Sequence, residues 1–185
     1  YYNLEFTAGS FDFYRPSLDI SGPLTEDEAL AYRLNVAYES AGSFRDFIDT
    51  ERFFVAPVLA WKISPDTQFS AELSYLNDRR PIDRGLVVLS DDSIADIPFS
   101  RTFTNGEDLD YEQTQAALYF DHRFNSALSL RSAFRYGEVS ERISDEADVE
   151  PDELIDDRFL NLLQFGGAED SETYTFQTDL TAEFS

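Results

Sequence analysis

From Leu30 to Glu39 the even positions read Leu30, Tyr32, Leu34, Val36 and Tyr38, while Arg33, Asn35 and Glu39 fall on odd ones. A period of two marks a β-strand, because successive side chains leave a pleated backbone on opposite sides. The same alternation recurs along the chain. Phe53, Val55, Pro57, Leu59, Trp61 and Ile63 stand opposite Arg52, Ala56, Ala60 and Lys62, with Phe54 and Val58 as exceptions. Phe69, Ala71, Leu73 and Tyr75 alternate with Gln68, Ser70, Glu72 and Ser74. Ala116, Leu118, Phe120, His122 and Phe124 alternate with Gln115, Tyr119, Asp121 and Arg123. Leu128, Leu130, Phe134 and Tyr136 alternate with Ser129, Arg131 and Arg135, and Tyr174, Phe176, Leu180 and Phe184 with Thr173, Thr175, Gln177 and Asp179. Two further runs open the chain, Tyr2 to Ala8 and Tyr14 to Ile20. The pattern predicts about eight strands, most of them close to the roughly 9–11 residues with which a tilted strand crosses a bilayer.

The connections alternate too. Ser21 to Ala29, Ser64 to Thr67 and Asn125 to Ala127 are short and turn-like, whereas Ser40 to Glu51, Arg79 to Asp110 and Ile143 to Ser171 are long. Short periplasmic turns and long extracellular loops are the habit of outer-membrane barrels. The Gly9 to Phe13 turn is the one tight connection on the long-loop side. Within the last long segment, Leu154 to Phe165 has some helical periodicity, and its residues suit a short loop helix or a hairpin extension equally.

Alternation alone suits a soluble barrel as well as a membrane one. Three features favour the membrane. The strands exceed the 5–6 residues typical of globular sheets. The apolar faces are large and hold few small residues to fill a tapering interior. The polar face mixes both charge signs, with Arg33, Glu72, Asp121, Arg131 and Arg135, as a wet lumen would. Tyr38, Tyr75 and Tyr136 near one end of their strands, and Trp61, Phe69, Phe124 and Phe184 near the other, are placed as interfacial girdles. The fold class read from the chain is therefore all-β, an antiparallel up-and-down transmembrane barrel segment.

Composition sharpens this. The 185 residues contain 17 Phe and 10 Tyr against one Trp, and neither Cys nor Met. Disulfides, thiolate metal sites and cysteine nucleophiles are excluded. A formal net charge of −23 argues against nucleic-acid binding, which needs Lys and Arg on phosphates. No apolar run reaches the roughly 18 residues of a transmembrane helix.

The segment Leu4 to Leu24 (LEFTAGSFDFYRPSLDISGPL) resembles the opening of the barrel in TonB-dependent siderophore receptors. Ala31 to Glu39 is similar to that family's third barrel strand, and Ser43-Phe44-Arg45-Asp46 and Arg52 to Trp61 extend the likeness. Asp83 to Val87 with Ile97-Pro98 resembles a loop of the ferrichrome-type branch. The resemblance is strongest over residues 4–103. It implies uptake of a ferric siderophore across a Gram-negative outer membrane, powered by the TonB complex, with lipid around the barrel and no resident cofactor. It implies that residues 1–185 are a partial receptor barrel, the plug, the TonB-contact segment and further strands lying outside the chain. The alternative is a complete eight-stranded membrane barrel with a structural or adhesive role. A third reading is a soluble ligand-binding barrel.

Candidate chemistry is sparse. His122, the only histidine, sits on an apolar face, where an interfacial or packing role outweighs catalysis, and no enzyme activity is expected. The run Asp145, Glu146, Asp148, Glu150, Asp152 and Glu153 lacks the glycine and spacing of an EF-hand loop and reads as a solvated acidic loop. Arg79, Arg80, Arg84 and Arg101 gather in the longest loop of an acidic chain, with Tyr111, Phe99 and Phe103 nearby. They are the candidate ligand-binding residues, since guanidinium and aromatic groups suit an anionic chelate. Otherwise they pair with Asp78, Asp83, Asp91 and Asp92 to order the loop.

Overall fold

The computed structural model describes residues 1–83, 85–103, 108–155 and 159–183, with the backbone path alone for 108, 144–155, 162 and 163. Eight strands follow one another: β1 (Tyr2–Ala8), β2 (Tyr14–Pro23), β3 (Leu30–Ala41), β4 (Thr50–Ser64), β5 (Thr67–Pro81), β6 (Asp108–Arg123), β7 (Leu128–Ile155) and β8 (Phe159–Ala182). They form a single antiparallel sheet in sequence order, each strand paired with its chain neighbours. No pairing joins β1 to β8 among the described residues.

Register carries the alternation across the sheet. Ile20, Leu34 and Pro57 lie in one row, as do Trp61, Phe69 and Phe120, and as do Leu118, Phe134 and Phe176. Cross-strand partners share a face, so these rows make one continuous apolar surface. No described residue covers it. Among the described residues Ala117 and Pro81 are the only buried apolar ones, whereas Phe176 is 73% exposed and Leu118 43%. A soluble sheet of this size would have a dry core. This one holds its greasy side chains outward, as a barrel wall does in lipid.

The opposite face bends inward. A hollow of about 520 Å³ is lined by Val58, Glu72, Gln113, Ala117, Tyr119 and Arg135 among others. Charges of both signs line this concave side, and they pair: Arg33 makes a bidentate contact to Asp19 (2.9 and 2.7 Å), and Arg131 reaches Asp121 at 3.6 Å.

Two aromatic levels bound the apolar band. Toward the long loops, the rings of Tyr14 and Tyr38 (5.9 Å), Phe53 and Tyr75 (6.4 Å) and Tyr136 and Tyr174 (5.1 Å) meet across strands. Toward the short turns, His122 lies between Phe120 and Phe124 (6.3 and 4.5 Å), and its Nδ1 is 2.9 Å from Thr67 Oγ1. The histidine is thus a packed, hydrogen-bonded girdle residue. Phe184 lies outside the described residues.

The turns follow local chemistry. Ser64 Oγ accepts from the Asp66 N–H at 3.2 Å, and Arg123 clamps the Asp66 carboxylate at 2.6 Å, closing the β4–β5 connection. At the opposite end Phe11 and Asp12 both have positive φ (59° and 54°), the backbone of a tight primed hairpin turn. A bulky ring there is costly. The Phe11 carbonyl accepts from Gly42 N–H at 2.7 Å and its ring meets Phe44 edge-on at 6.4 Å, which holds the turn against the next loop.

One expectation is corrected. Ile143 to Ser171 is no plain loop: β7 and β8 run on through it as a long hairpin, paired as far as Ile155 and Phe159, with irregularities at Ile143/Glu146 and Val149/Leu154. Of the two readings for Leu154 to Phe165, the described residues follow the hairpin extension. Backbone ladders need only N–H and C=O groups, so an acidic stretch that reads as loop pairs as readily as an apolar one. The side chains of the Asp145 to Glu153 run lie outside the described residues.

Candidate functional site

At the long-loop end of the concave face, a row of charged residues crosses four strands. Glu39 of β3, Arg52 of β4, Asp78 of β5 and Tyr111 of β6 are successive cross-strand partners, which puts them at one level on one face. Arg15 of β2 joins through Glu39 (3.5 Å), Arg52 bridges Glu39 (3.6 Å) and Asp78 (2.9 Å), and Arg80 reaches Asp78 at 3.6 Å. Three guanidinium groups therefore surround two carboxylates. Asp78 is 7% exposed, and its Oδ1 has no hydrogen-bond partner among the described residues.

Above this row the loops dock on each other. Arg45, in the β3–β4 loop, donates from Nη1 to the Phe99 carbonyl (3.0 Å) and from Nη2 to the Gly85 carbonyl (2.8 Å) and Asp83 Oδ1 (2.9 Å). Its Nε is 2.6 Å from Asp83 Oδ2. The buried Thr102 hydroxyl donates to the Asp46 carbonyl at 2.7 Å, and Asp46 N–H donates to the Ser100 carbonyl at 2.7 Å. Within the long loop Asp91 caps its own turn: the Ser93 hydroxyl and N–H donate to its carboxylate and hold its pKa below the ordinary aspartate range.

The candidate ligand residues divide. Arg80 and Tyr111 come together on the concave side beside Asp78. Arg79 faces the other way, in register between Glu51 and Asp110, with its Nε 3.9 Å from Asp110. Arg101 is exposed on the loop, and its guanidinium has no partner among the described residues, its N–H alone reaching the Pro98 carbonyl at 2.9 Å. Arg84 lies outside the described residues. The pairing expected for these arginines is met by Arg80 and Asp78, whereas Asp83 is taken by Arg45. Arg15, Arg52 and Arg45 have no local signal that marks them as partners. Their carboxylates are brought to them by strand register and by the meeting of two loops.

An unbroken antiparallel meander with an uncovered apolar band, aromatic boundaries and a charged concave side is the wall of an outer-membrane β-barrel. The comparisons with known proteins narrow the class. No family model matches. The metal-pseudopaline receptor CntO of Pseudomonas aeruginosa is 37% identical over 135 residues, which is 72% of this chain and 19% of that receptor. The ferripyoverdine receptor of the same species is 36% identical over 73 residues, 40% of this chain and 9% of that receptor. The chain spans about a fifth of the length of the first of these relatives.

Among solved structures, the outer-membrane ferripyoverdine receptor of P. aeruginosa bound to ferripyoverdine superposes with a TM-score of 0.86 at 19% identity, covering 98% of this chain and 25% of that one. The ferric-catecholate import receptor Fiu of E. coli gives 0.77 at 20% identity, covering 100% and 29%. By sequence and fold the chain is a relative of the TonB-dependent siderophore receptors of Gram-negative outer membranes, and it corresponds to one stretch of their barrel.

Proposed function

We propose that this chain forms part of the wall of an outer-membrane receptor that imports a ferric siderophore or a similar metal chelate, driven by the TonB complex acting through a region outside these residues. The observation that carries the reading is the match to two metal-chelate receptors over strands whose outward face carries a continuous apolar band. Lipid surrounds the outer face, and the chelate passes on the concave side. No catalytic step is assigned, and the metal is cargo, not a resident cofactor.

Within that reading, Arg80 and Tyr111 line the outer end of the passage, and Arg101 belongs to the loop above it. Arg79, turned to the outer face, is the weakest of the candidate ligand residues. An anionic chelate would meet guanidinium groups that are partly neutralised by Glu39 and Asp78, an arrangement that suits transient contact over tight capture. The test is uptake of radioactive iron by a receptor-deficient strain expressing the full-length protein, supplied with a panel of ferric chelates. Uptake should require the TonB complex, and Arg80→Ala with Tyr111→Ala should weaken it. Absence of chelate-dependent uptake across the panel would refute the reading.

A further inference from the structure

The outward face carries an arrangement that transport does not use. Just beyond the aromatic level, Glu138 of β7 and Glu172 of β8 are direct cross-strand partners, one step from the partnered pair Tyr136 and Tyr174. Tyr136 OH donates to Glu138 Oε2 at 2.8 Å and Tyr174 OH donates to Glu172 Oε2 at 3.0 Å. Each carboxylate is thus oriented by one oxygen, and the other has no partner among the described residues. Like charges placed directly opposite destabilise a sheet. No arginine or lysine is paired with either carboxylate among the described residues: Arg142 is drawn to Asp170 at 3.4 Å.

A second observation is independent of the carboxylates. Ser140, the next residue along β7 on the same face, is 7% exposed, and its hydroxyl has no hydrogen-bond partner among the described residues. It stands in register between Glu112 and Asp170. A buried hydroxyl left unsatisfied is costly, and a ligand or ordered water at that spot would relieve it.

We propose that Glu138 and Glu172 hold a divalent cation at the outer membrane boundary, with the Ser140 hydroxyl contacting a water of its shell, and that a lipid phosphate completes the coordination. Among the described residues no three acidic or imidazole ligands converge on one point. A closed protein cage is therefore absent there, and the geometry fits an ion that keeps most of its water, takes one or two carboxylates and binds phosphate oxygen, as Mg²⁺ does. The phosphate belongs to a headgroup because the pair faces lipid immediately above the tyrosines, where headgroups lie. The proposal rests on the outward orientation of the apolar face and is independent of what the receptor carries.

The experiment uses the full-length protein reconstituted in vesicles of phosphatidylcholine, with or without phosphatidylglycerol. Terbium emission excited through tyrosine reports an ion beside Tyr136 and Tyr174, and displacement by Ca²⁺ or Mg²⁺ gives the affinity of each. A component of the emission should vanish in Glu138→Gln with Glu172→Gln, while uptake of the metal chelate stays unchanged. Calorimetric Ca²⁺ titration of Tyr136→Phe with Tyr174→Phe should show binding weakened by roughly tenfold, the scale on which second-layer partners of metal ligands act. Phosphatidylglycerol should lower the Ca²⁺ midpoint. Emission and Ca²⁺ displacement identical in the double glutamine variant and the parent would overturn the site. A midpoint indifferent to phosphatidylglycerol would overturn the lipid phosphate. Loss of chelate uptake in the parent would count against the transport reading alone.

Discussion

Two extracellular structures are built in opposite ways. The β3–β4 and β5–β6 loops have little regular pairing and are held by side chains, with Arg45 closing on Asp83, Gly85 and Phe99 and Thr102 closing on Asp46. The β7–β8 hairpin extends beyond the band on its backbone ladder. A side-chain staple concentrates its energy in a few groups, and losing one group opens the assembly. A ladder spreads its energy over many bonds of similar strength, and it tolerates side-chain change but not loss of an N–H. A loop that must change shape is better served by the first plan, and a fixed rim by the second.

The contrast can be broken at Arg45. Its side chain is about nine-tenths buried and paired with Asp83. Arg45→Ala should cost about 3 kcal/mol of local closure, at the low end for stripping one partner from a buried ion pair. Hydrogen exchange should then show loss of protection across 85–103 with the strands unchanged. The matching test on the hairpin is Val139→Pro. β7 has a neighbour on either side at this position, Gln113 and Ser171, so the Val139 N–H lies in a ladder. Removing it leaves a carbonyl unpaired, at a cost of about 1–3 kcal/mol, visible as faster exchange on both sides of β7. Thr102→Val should cost about 1 kcal/mol, one neutral hydrogen bond, and loosen the same loop segment that Arg45→Ala frees.

The smallest effect concerns pH. The Asp91 carboxyl, stabilised first by the Ser93 hydroxyl and then by the Ser93 N–H, titrates below the ordinary aspartate range. A depressed folded-state pKa contributes stability above the unfolded value and loses it as pH falls through the folded one. The turn from Leu89 to Ser93 should therefore hold at neutral pH and loosen only in acid. Asp91→Asn should flatten that dependence, as followed by chemical shifts of the turn amides.

The strands and their faces were legible because alternation encodes both at once. Leu34, Leu59 and Phe120 lie on the apolar side, and Arg33, Glu72 and Arg131 on the other, as the period-two pattern requires. Far less of the site could be read. That Arg79 and Arg80 diverge follows from strand β5 continuing to Pro81, beyond the point where apolar alternation stops. Arg45 meets Asp83 across 38 positions, and no local pattern encodes a contact between two loops. The β7–β8 extension escaped for the opposite reason, since its pairing depends on backbone groups that every residue but proline carries.

Pro57 lies in the middle of β4, where its missing N–H has a cost that side-chain patterns do not reveal. The ladder to β5 breaks between the Val55–Tyr75 and Val58–Glu72 pairs, while the ladder to β3 stays whole through Leu34. A hydrocarbon environment offers nothing to replace a lost bond. The seam between these two strands is thus a weak point of the wall under tension, and a pulling experiment on the intact receptor should find an early rupture there.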